Sequence, residues 1–374
     1  MVNFEQIRRD FPVTKHYTYL ANAAISPIPM QVFKEASGFH KQILENGGIL
    51  WDKWIEQMEE TRELYARFIS AKSDEVGFTH STSEGMNIIA HMLSSKGRVV
   101  SNELEFPSSL LPWFHKNADI SLVKEKSGKI LVDDIAKAVN DKTRTVVVSH
   151  VQYATGFRQD LIELAELTNK RELYLVVNAT QSLGALDFDV GKFAVDFMSS
   201  NGHKWILSSF GIGAIYVKKE YLENLNEFRP PFFSQFGQRQ RDIFDNKKLD
   251  ISDTASRFEL GSPHFSNILS LKAGLKYISK IGIAKVEKRI LTLTKYLIKE
   301  LQKLKLVIIS PIEEEKNRSG IVVFKARRAN ELVKKLEKEH IIVSARGGGI
   351  RISPHFYNNE QDIDKLISKL RRLI

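Results

Sequence analysis

Four strand-length apolar runs limit what this chain can fold into: Arg98 to Ser101, Ile120 to Val123, Thr145 to Ser149 and Leu173 to Asn178. They are rich in β-branched residues and mostly unbroken by charge, the pattern of strands covered on both faces. Helical patterns separate most of them, notably around 131–139 and 161–170. That alternation predicts an α/β fold built on a mostly parallel sheet with helices on both faces. Ligands of such sheets gather at the carboxyl ends of the strands. His150, Gln152, Tyr153, Asn178, Thr180, Gln181, Asn201 and His203 all follow apolar runs directly. Any one of them could cap a turn, but their recurrence along one sheet edge points to a site.

Lys204 lies in the run Met198 to Trp205, between apolar stretches at Phe193 to Met198 and Ala214 to Val217. It is therefore expected on the turn where two buried strands meet. An ε-amine removed from water gives up its proton readily and becomes a nucleophile toward carbonyls. In a chain with 55 Lys plus Arg, a solvated loop lysine is the commoner case, so the surroundings must decide. One such surrounding is Glu75 to Thr79, strand-like, which breaks into His80-Ser81-Thr82-Ser83-Glu84-Gly85. Met86, Ile88, Ile89 and Met92 then recur at helical spacing. A strand, a hydroxyl-rich turn and a helix start present N–H groups and hydroxyls to an anion. The same residues serve equally as a plain N-cap, with Thr82 or Ser83 capping. Near the start, Tyr17 to Pro29 reads as a short strand entering a turn of small residues, which permits close approach of a ligand.

Beyond Lys280 the alternation ends, and helices and short strands at 320–324, 341–344 and 350–353 read as a smaller α+β domain. Residues 15–260 are assigned to a large domain and 261–374 to a small C-terminal one, joined by segment 1–14. Within the latter, Arg346-Gly347-Gly348-Gly349-Ile350-Arg351 combines backbone freedom with guanidinium groups suited to carboxylates. A surface pair with a nearby acid is the other reading of Arg351. The polar and aromatic stretch from Asn224 to Ser252, including 228–244, reads as an excursion suited to subunit contact.

Composition removes several classes of function. The chain has no cysteine, which excludes disulfides, thiolate catalysis, zinc–thiolate sites and iron–sulfur ligation. The net charge of +10 comes from lysines dispersed among glutamates, as in Lys334-Lys335-Leu336-Glu337-Lys338, a solvated-face pattern with no nucleic-acid motif. No apolar run approaches the roughly 20 residues of a membrane span, and the N-terminal stretch lacks a signal-peptide core. No membrane association and a cytoplasmic location are expected. Gly211 and Gly213 precede a strand instead of opening a helix, so they form no dinucleotide fingerprint.

Taken together, Leu20 to Ala24, Thr82 to Gly85, Ser149 to Val151, Ala179 to Gln181, Gly202 to Trp205, Arg257 to Pro263 and Arg351 to Ser353 carry a resemblance over nearly the whole chain. They resemble the fold-type I enzymes that use pyridoxal 5′-phosphate, specifically the class V aminotransferase family, which includes cysteine desulfurases and isopenicillin N epimerase-like proteins. The resemblance implies that Lys204 forms the Schiff base with that cofactor and shuttles the α-proton. It places His203 in the cofactor shell, and Thr82 and Ser83 in a phosphate cup closed by Asn201 or Ser200 together with His203. It puts Phe106 on the face of the pyridine ring, and Gln181, with Tyr153, at the phenolic oxygen. Arg351 clamps the substrate α-carboxylate, with Asn22 and Ala23 also facing substrate. Ser262 stands where the family commonly has a threonine reaching the neighbouring subunit's phosphate, which implies a homodimer with an interfacial site.

Two departures bear on the chemistry. Asn178 stands where the family usually has an aspartate facing the pyridine nitrogen, and a neutral amide makes the ring a weaker electron sink. The absence of cysteine removes the thiolate that receives sulfur in a desulfurase, although elimination on cystine or selenocysteine needs none. The expected function is thus amino transfer between an amino acid and a keto acid, with no metal. A cysteine or selenocysteine β-lyase, an epimerase and a weakly catalytic cofactor-binding protein stand as the alternatives.

Overall fold

A computed structural model describes residues 2–224, 227–232, 234, 237–238, 247 and 249–374. Much of the expected excursion at 228–244 lies outside the described residues. The strands in chain order are β1 (Thr18–Tyr19), β2 (Val76–Thr79), β3 (Arg98–Asn102), β4 (Ile120–Val123), β5 (Thr143–Ser149), β6 (Tyr174–Asn178), β7 (Phe197–Asn201), β8 (Gly213–Val217), β9 (Val322–Lys325), β10 (Ile341–Ile342), β11 (Ser344–Arg346) and β12 (Gly349–Ile352). Seven of them form the central sheet in the order β2-β8-β7-β6-β5-β3-β4. From β7 to β4 all neighbours are parallel, while β8 runs antiparallel to both β7 and β2. The reversal has a simple cause. The loop from β7 to β8 is too short to carry a crossover helix, so the chain can only turn back on itself.

Side-chain parity shows why the apolar runs are unbroken. Val146, Val148, Leu175 and Val177 enter one core with Trp54, Met58, Leu161 and Leu164. Val147, Val176 and Phe197 point the other way, against Met86, Ile89, Leu93 and Trp113. Both faces are therefore dry, as continuous apolar strands require. The helix Thr82–Leu93 lies directly on β7, because a side chain at Gly85 would collide with Ser199.

Packing divides the molecule differently from order along the chain. The helix Phe265–Ile281 places Phe265, Ile268, Leu269, Leu271 and Leu275 in the large core beside Phe39 and Trp54. At the other end, β1 pairs in parallel with β10, Ala21 bridges to Ser353, and Leu20 joins the cluster of Leu293, Phe324, Ile350 and Leu366. The fork of Arg8 grips Asp362 through bonds of 2.7 and 2.9 Å. The chain from Arg8 to Asn22 is thus stitched onto the C-terminal unit, whose own sheet, β11-β12-β9, is antiparallel.

One buried ion pair ties the large core to the segment leading out of it. Arg62 donates to Val76 O at 2.9 Å and to the Glu259 carboxylate, which also accepts from Phe78 N at 3.0 Å. Both side chains are buried, so removing the cation leaves a carboxylate without its counter-charge. Arg62→Met is expected to cost about 3–5 kcal/mol of stability, measured by denaturant unfolding. A loss below about 1 kcal/mol would mean that water or another group compensates Glu259.

Candidate active site

The carboxyl ends of β2, β3, β5, β6 and β7 open on a cavity of about 190 Å³. Its walls are Ser81, Thr82 and Ser83 after β2, Phe106 and Ser108 after β3, and Ser149, Val151 and Tyr153 at the end of β5. Asn178, Thr180 and Gln181 close it from β6, and Asn201, His203 and Lys204 from β7. Alternating strands and helices bring these distant residues to one edge, where free polar groups face a gap in the sheet's covering.

Lys204 sits in a tight turn: its carbonyl accepts from Leu207 N at 3.0 Å, and Leu207 takes a left-handed φ of 63°. A residue with a side chain in that conformation is held there by its surroundings. The amine stands over the Phe106 ring, 5.9 Å from its centroid. Burial pushes the amine down to about 7, with the guanidinium groups of Arg351 and Arg346 adding to the effect. Among the described residues no carboxylate pairs with it. His203 stacks on Phe210 at 4.5 Å, and burial followed by the Lys204 charge pushes its imidazole down to about 4. It is neutral at physiological pH.

The donor set fits a phosphorylated aromatic aldehyde. Ser81 caps the helix Thr82–Leu93 by accepting from Glu84 N, which leaves the amides of Thr82 and Ser83 without an acceptor among the described residues. Asn201 lines the same end with a buried carboxamide oxygen that has no partner among the described residues. The side-chain amides of Asn178, the last residue of β6, and of Gln181, in the turn after it, are oriented by groups that can only donate. Trp205 Nε1 donates to Gln181 Oε1 at 3.0 Å, so the Gln181 NH₂ gives one hydrogen to Ala23 O and keeps one for the cavity. Thr180 N donates to Asn178 Oδ1 at 3.0 Å, so Asn178 Nδ2 donates to Ser109 Oγ and likewise retains one hydrogen. What Asn178 can offer a ring nitrogen is an N–H donor.

Arg351 is 2% exposed and spends Nε on Ser344 Oγ at 3.2 Å and one terminal nitrogen on Tyr153 O at 3.1 Å. Burial first, then Arg346, pushes it down to about 10, and among the described residues it has no carboxylate partner. The surface-pair reading of Arg351 is therefore excluded within the described residues. The Tyr153 ring meets Phe106 edge-on at 5.1 Å.

Four expected site residues are placed elsewhere in the single chain. Ser200 alternates to the opposite face of β7 and pairs with Tyr65 OH at 2.6 Å, so Asn201 is the one that faces the cavity. The Asn22 carboxamide donates to Ser353 O and accepts from Ser26 and Tyr357, fastening the N-terminal segment to the C-terminal unit. Ala23 serves the same junction through its backbone, taking Ser353 Oγ on its N–H and Gln181 Nε2 on its carbonyl. Ser262 lies in a separate crevice with His80, Gly211 and His264. Sequence reasoning overlooked Glu105, a buried acid that accepts from Ser149 N and Oγ and from Gln152 Nε2 beneath the cavity floor. An acid between apolar residues just after a strand was the available signal.

The lowered amine gives a prediction for cofactor uptake. With cofactor removed, the rate at which pyridoxal 5′-phosphate changes absorbance on reacting with the protein should rise with pH and level off above about 7. Arg351→Met removes a neighbouring cation, raises the amine's pKa and shifts that curve to higher pH. An unshifted curve would mean that burial alone sets it.

A sequence profile of the family described as aminotransferase class-V matches residues 18–366. A probable cysteine desulfurase of Pyrococcus abyssi is 28% identical over 398 residues, covering 99% of this chain and 97% of that protein. An uncharacterized aminotransferase of Bacillus subtilis, YcbU, is 27% identical over 98% of this chain and 97% of its own length. The solved apo structure of the cysteine desulfurase from Thermococcus onnurineus NA1 covers 100% of this chain and 98% of that one, with a TM-score of 0.91 at 25% identity. No helix among the described residues is long and apolar enough to cross a membrane. The chain therefore belongs to the class-V aminotransferase family and is an enzyme of pyridoxal 5′-phosphate acting on amino-acid substrates.

Proposed function

We propose that the chain takes the α-proton from a bound amino acid and completes an amino transfer to a 2-oxo acid. The observation that carries this reading is the Lys204 amine, held near neutrality beside Arg351 in a cavity whose described walls supply no carboxylate. Pyridoxal 5′-phosphate, when bound, supplies an aldehyde for amines and a conjugated ring that spreads the charge left at the α-carbon. Thr82, Ser83 and Asn201 would hold its phosphate end, and Gln181 would offer it the remaining N–H of its amide. Arg351, with two of its five donors spent, turns the others to the α-carboxylate. That clamp sets the α-carbon within reach of Lys204. The neutral amine accepts the proton, and the dry, cationic surroundings make the ammonium give it up again.

Amino transfer asks for no further group. Drawing sulfur from cysteine, the activity named for the Pyrococcus relative, asks for a thiolate acceptor, and this chain has no cysteine. The cysteine desulfurase names among the relatives favour a second reading, β-elimination from a sulfur or selenium amino acid, in which the leaving group departs to solvent. In either case we propose a homodimer. Exposed Phe210 and Leu260 flank the crevice that holds Ser262, and a second copy seated there would let that hydroxyl complete a site across the interface.

A panel of amino acids given to the holoenzyme decides among these outcomes. Release of a 2-oxo acid coupled to formation of a second amino acid means transfer, ammonia with sulfide means elimination, and altered chirality means epimerisation. No turnover of any amino acid would remove the reading. Asn178→Asp restores a charged partner for the ring nitrogen, keeps the acceptor for Thr180 N, and lets Ser109 donate in place of accepting. The rate of 2-oxo acid release should rise by about tenfold or more, the worth of one charge-assisted hydrogen bond, measured in single turnovers.

A further inference from the structure

The hairpin of β11 and β12 carries a second guanidinium that an α-carboxylate does not require: Arg346, which lines an open crevice with Arg327, Arg328 and Glu331 and acts on the site through its charge. Ser344 pairs with Arg351 and Arg346 with Gly349, so Arg346 and Arg351 are diagonal neighbours on one face of the hairpin. Such positions stand about 7–8 Å apart, within joint reach of a short dianion. Gly349, directly across from Arg346, lies so close to the Phe324 carbonyl of β9 that a Cβ there would collide with it, which holds the hairpin tightly against the sheet. The turn itself is pinned in place. Gly347 and Gly348 take φ values of 60° and 76°, and Gly347 presses on the Ala154 carbonyl so closely that a Cβ there would collide with it. The neighbouring Tyr153, whose carbonyl receives Arg351, lines the cavity.

Electrostatics places Arg346 with the site as well. Its charge lowers both the Lys204 amine and the Arg351 guanidinium. Arg346 is exposed, and its guanidinium donates to the carbonyl of Ala345 at 2.9 Å. Among the described residues neither guanidinium has a carboxylate partner. Two like charges held on one hairpin face with no counter-ion between them repel each other until an anion arrives. One carboxylate answers Arg351 and leaves Arg346 unanswered.

We propose that Arg346 is a specificity-determining residue that receives a second anionic group of the substrate, so that the enzyme prefers amino acids with an acidic side chain and the corresponding dicarboxylic 2-oxo acids. This rests on the amino-acid chemistry proposed above and names its substrate class. The second anion is bound at the hairpin tip, where water remains, and the α-carboxylate at the buried guanidinium. The difference in depth fixes which end of a dicarboxylate faces Lys204.

The test compares glutamate and aspartate with neutral amino acids of similar length on the holoenzyme, together with Arg346→Gln and Arg346→Lys. Acidic substrates should lead in kcat/KM by about tenfold or more, one charge-assisted contact's worth. In Arg346→Gln that ratio should collapse to within about twofold, with Arg346→Lys keeping part of it. Binding gives a second readout, independent of turnover. Glutarate should bind the holoenzyme about tenfold more tightly than butyrate, and Arg346→Gln should erase the difference. Equal handling of acidic and neutral substrates by the parent enzyme, or a ratio that survives Arg346→Gln, would overturn the assignment. If no amino acid is turned over, the amino-transfer reading falls, and the glutarate and butyrate affinities still decide for or against Arg346.

Discussion

Trp205 donates its indole N–H to Gln181 Oε1 at 3.0 Å, and much of the site is positioned through that bond and its neighbours. The Trp205 carbonyl meets His355 Nε2 at 3.1 Å, and the ring leaves no room for a side chain at Gly320. Gln181 passes the connection on to Ala23. One fully buried side chain thereby joins the lysine turn, the end of β6, the N-terminal segment and the C-terminal unit. An indole can donate but not accept, so it also dictates which end of the Gln181 amide faces the cavity.

That rigidity serves an unusual electrical arrangement. Lys204 and Arg351 are both removed from water, Arg346 adds a second guanidinium, and no described carboxylate answers them. Burying charge this way is costly for the folded chain. The cost keeps the amine unprotonated and leaves the cavity poised for anions. Asn178 extends the same economy of negative charge: with its oxygen taken by Thr180 N, the neutral side chain offers the cavity an N–H and no carboxylate.

The alternation of helices with dry strands was readable in the chain because covering both faces forces an unbroken apolar run, and β3, β5 and β6 follow it closely, while β4 at the sheet edge leaves Leu122 exposed. Lys204 was readable for a related reason, since polar residues massed at the ends of such strands have nowhere else to go. What remained hidden depends on parity and distance. Ser200 and Asn201 are adjacent hydroxyl and amide residues on β7, and only the register with β8 tells which one faces the cavity. The resemblance set Asn22 beside the substrate, and the chain order does not report that its carboxamide bonds to Ser353 and Tyr357, far along the chain. The antiparallel return of β8 follows from a short loop, which periodicity does not report. Glu105 escaped notice because a buried acid with four donors around it looks, in sequence, like any loop glutamate.

The pairing of β1 with β10 has a consequence for biosynthesis. Thr18 leaves the ribosome while Ile341, its partner, is still unmade. Until Ile341 is made, the segment around Thr18 has an edge with nothing to lie against, and Leu20 lacks part of the cluster it enters. Domains generally close in the order they are made, but here an earlier segment waits for a much later one. Nascent chains of this protein therefore keep that segment uncovered while β2 to β9 are made, and a chaperone shielding apolar segments would have it to cover.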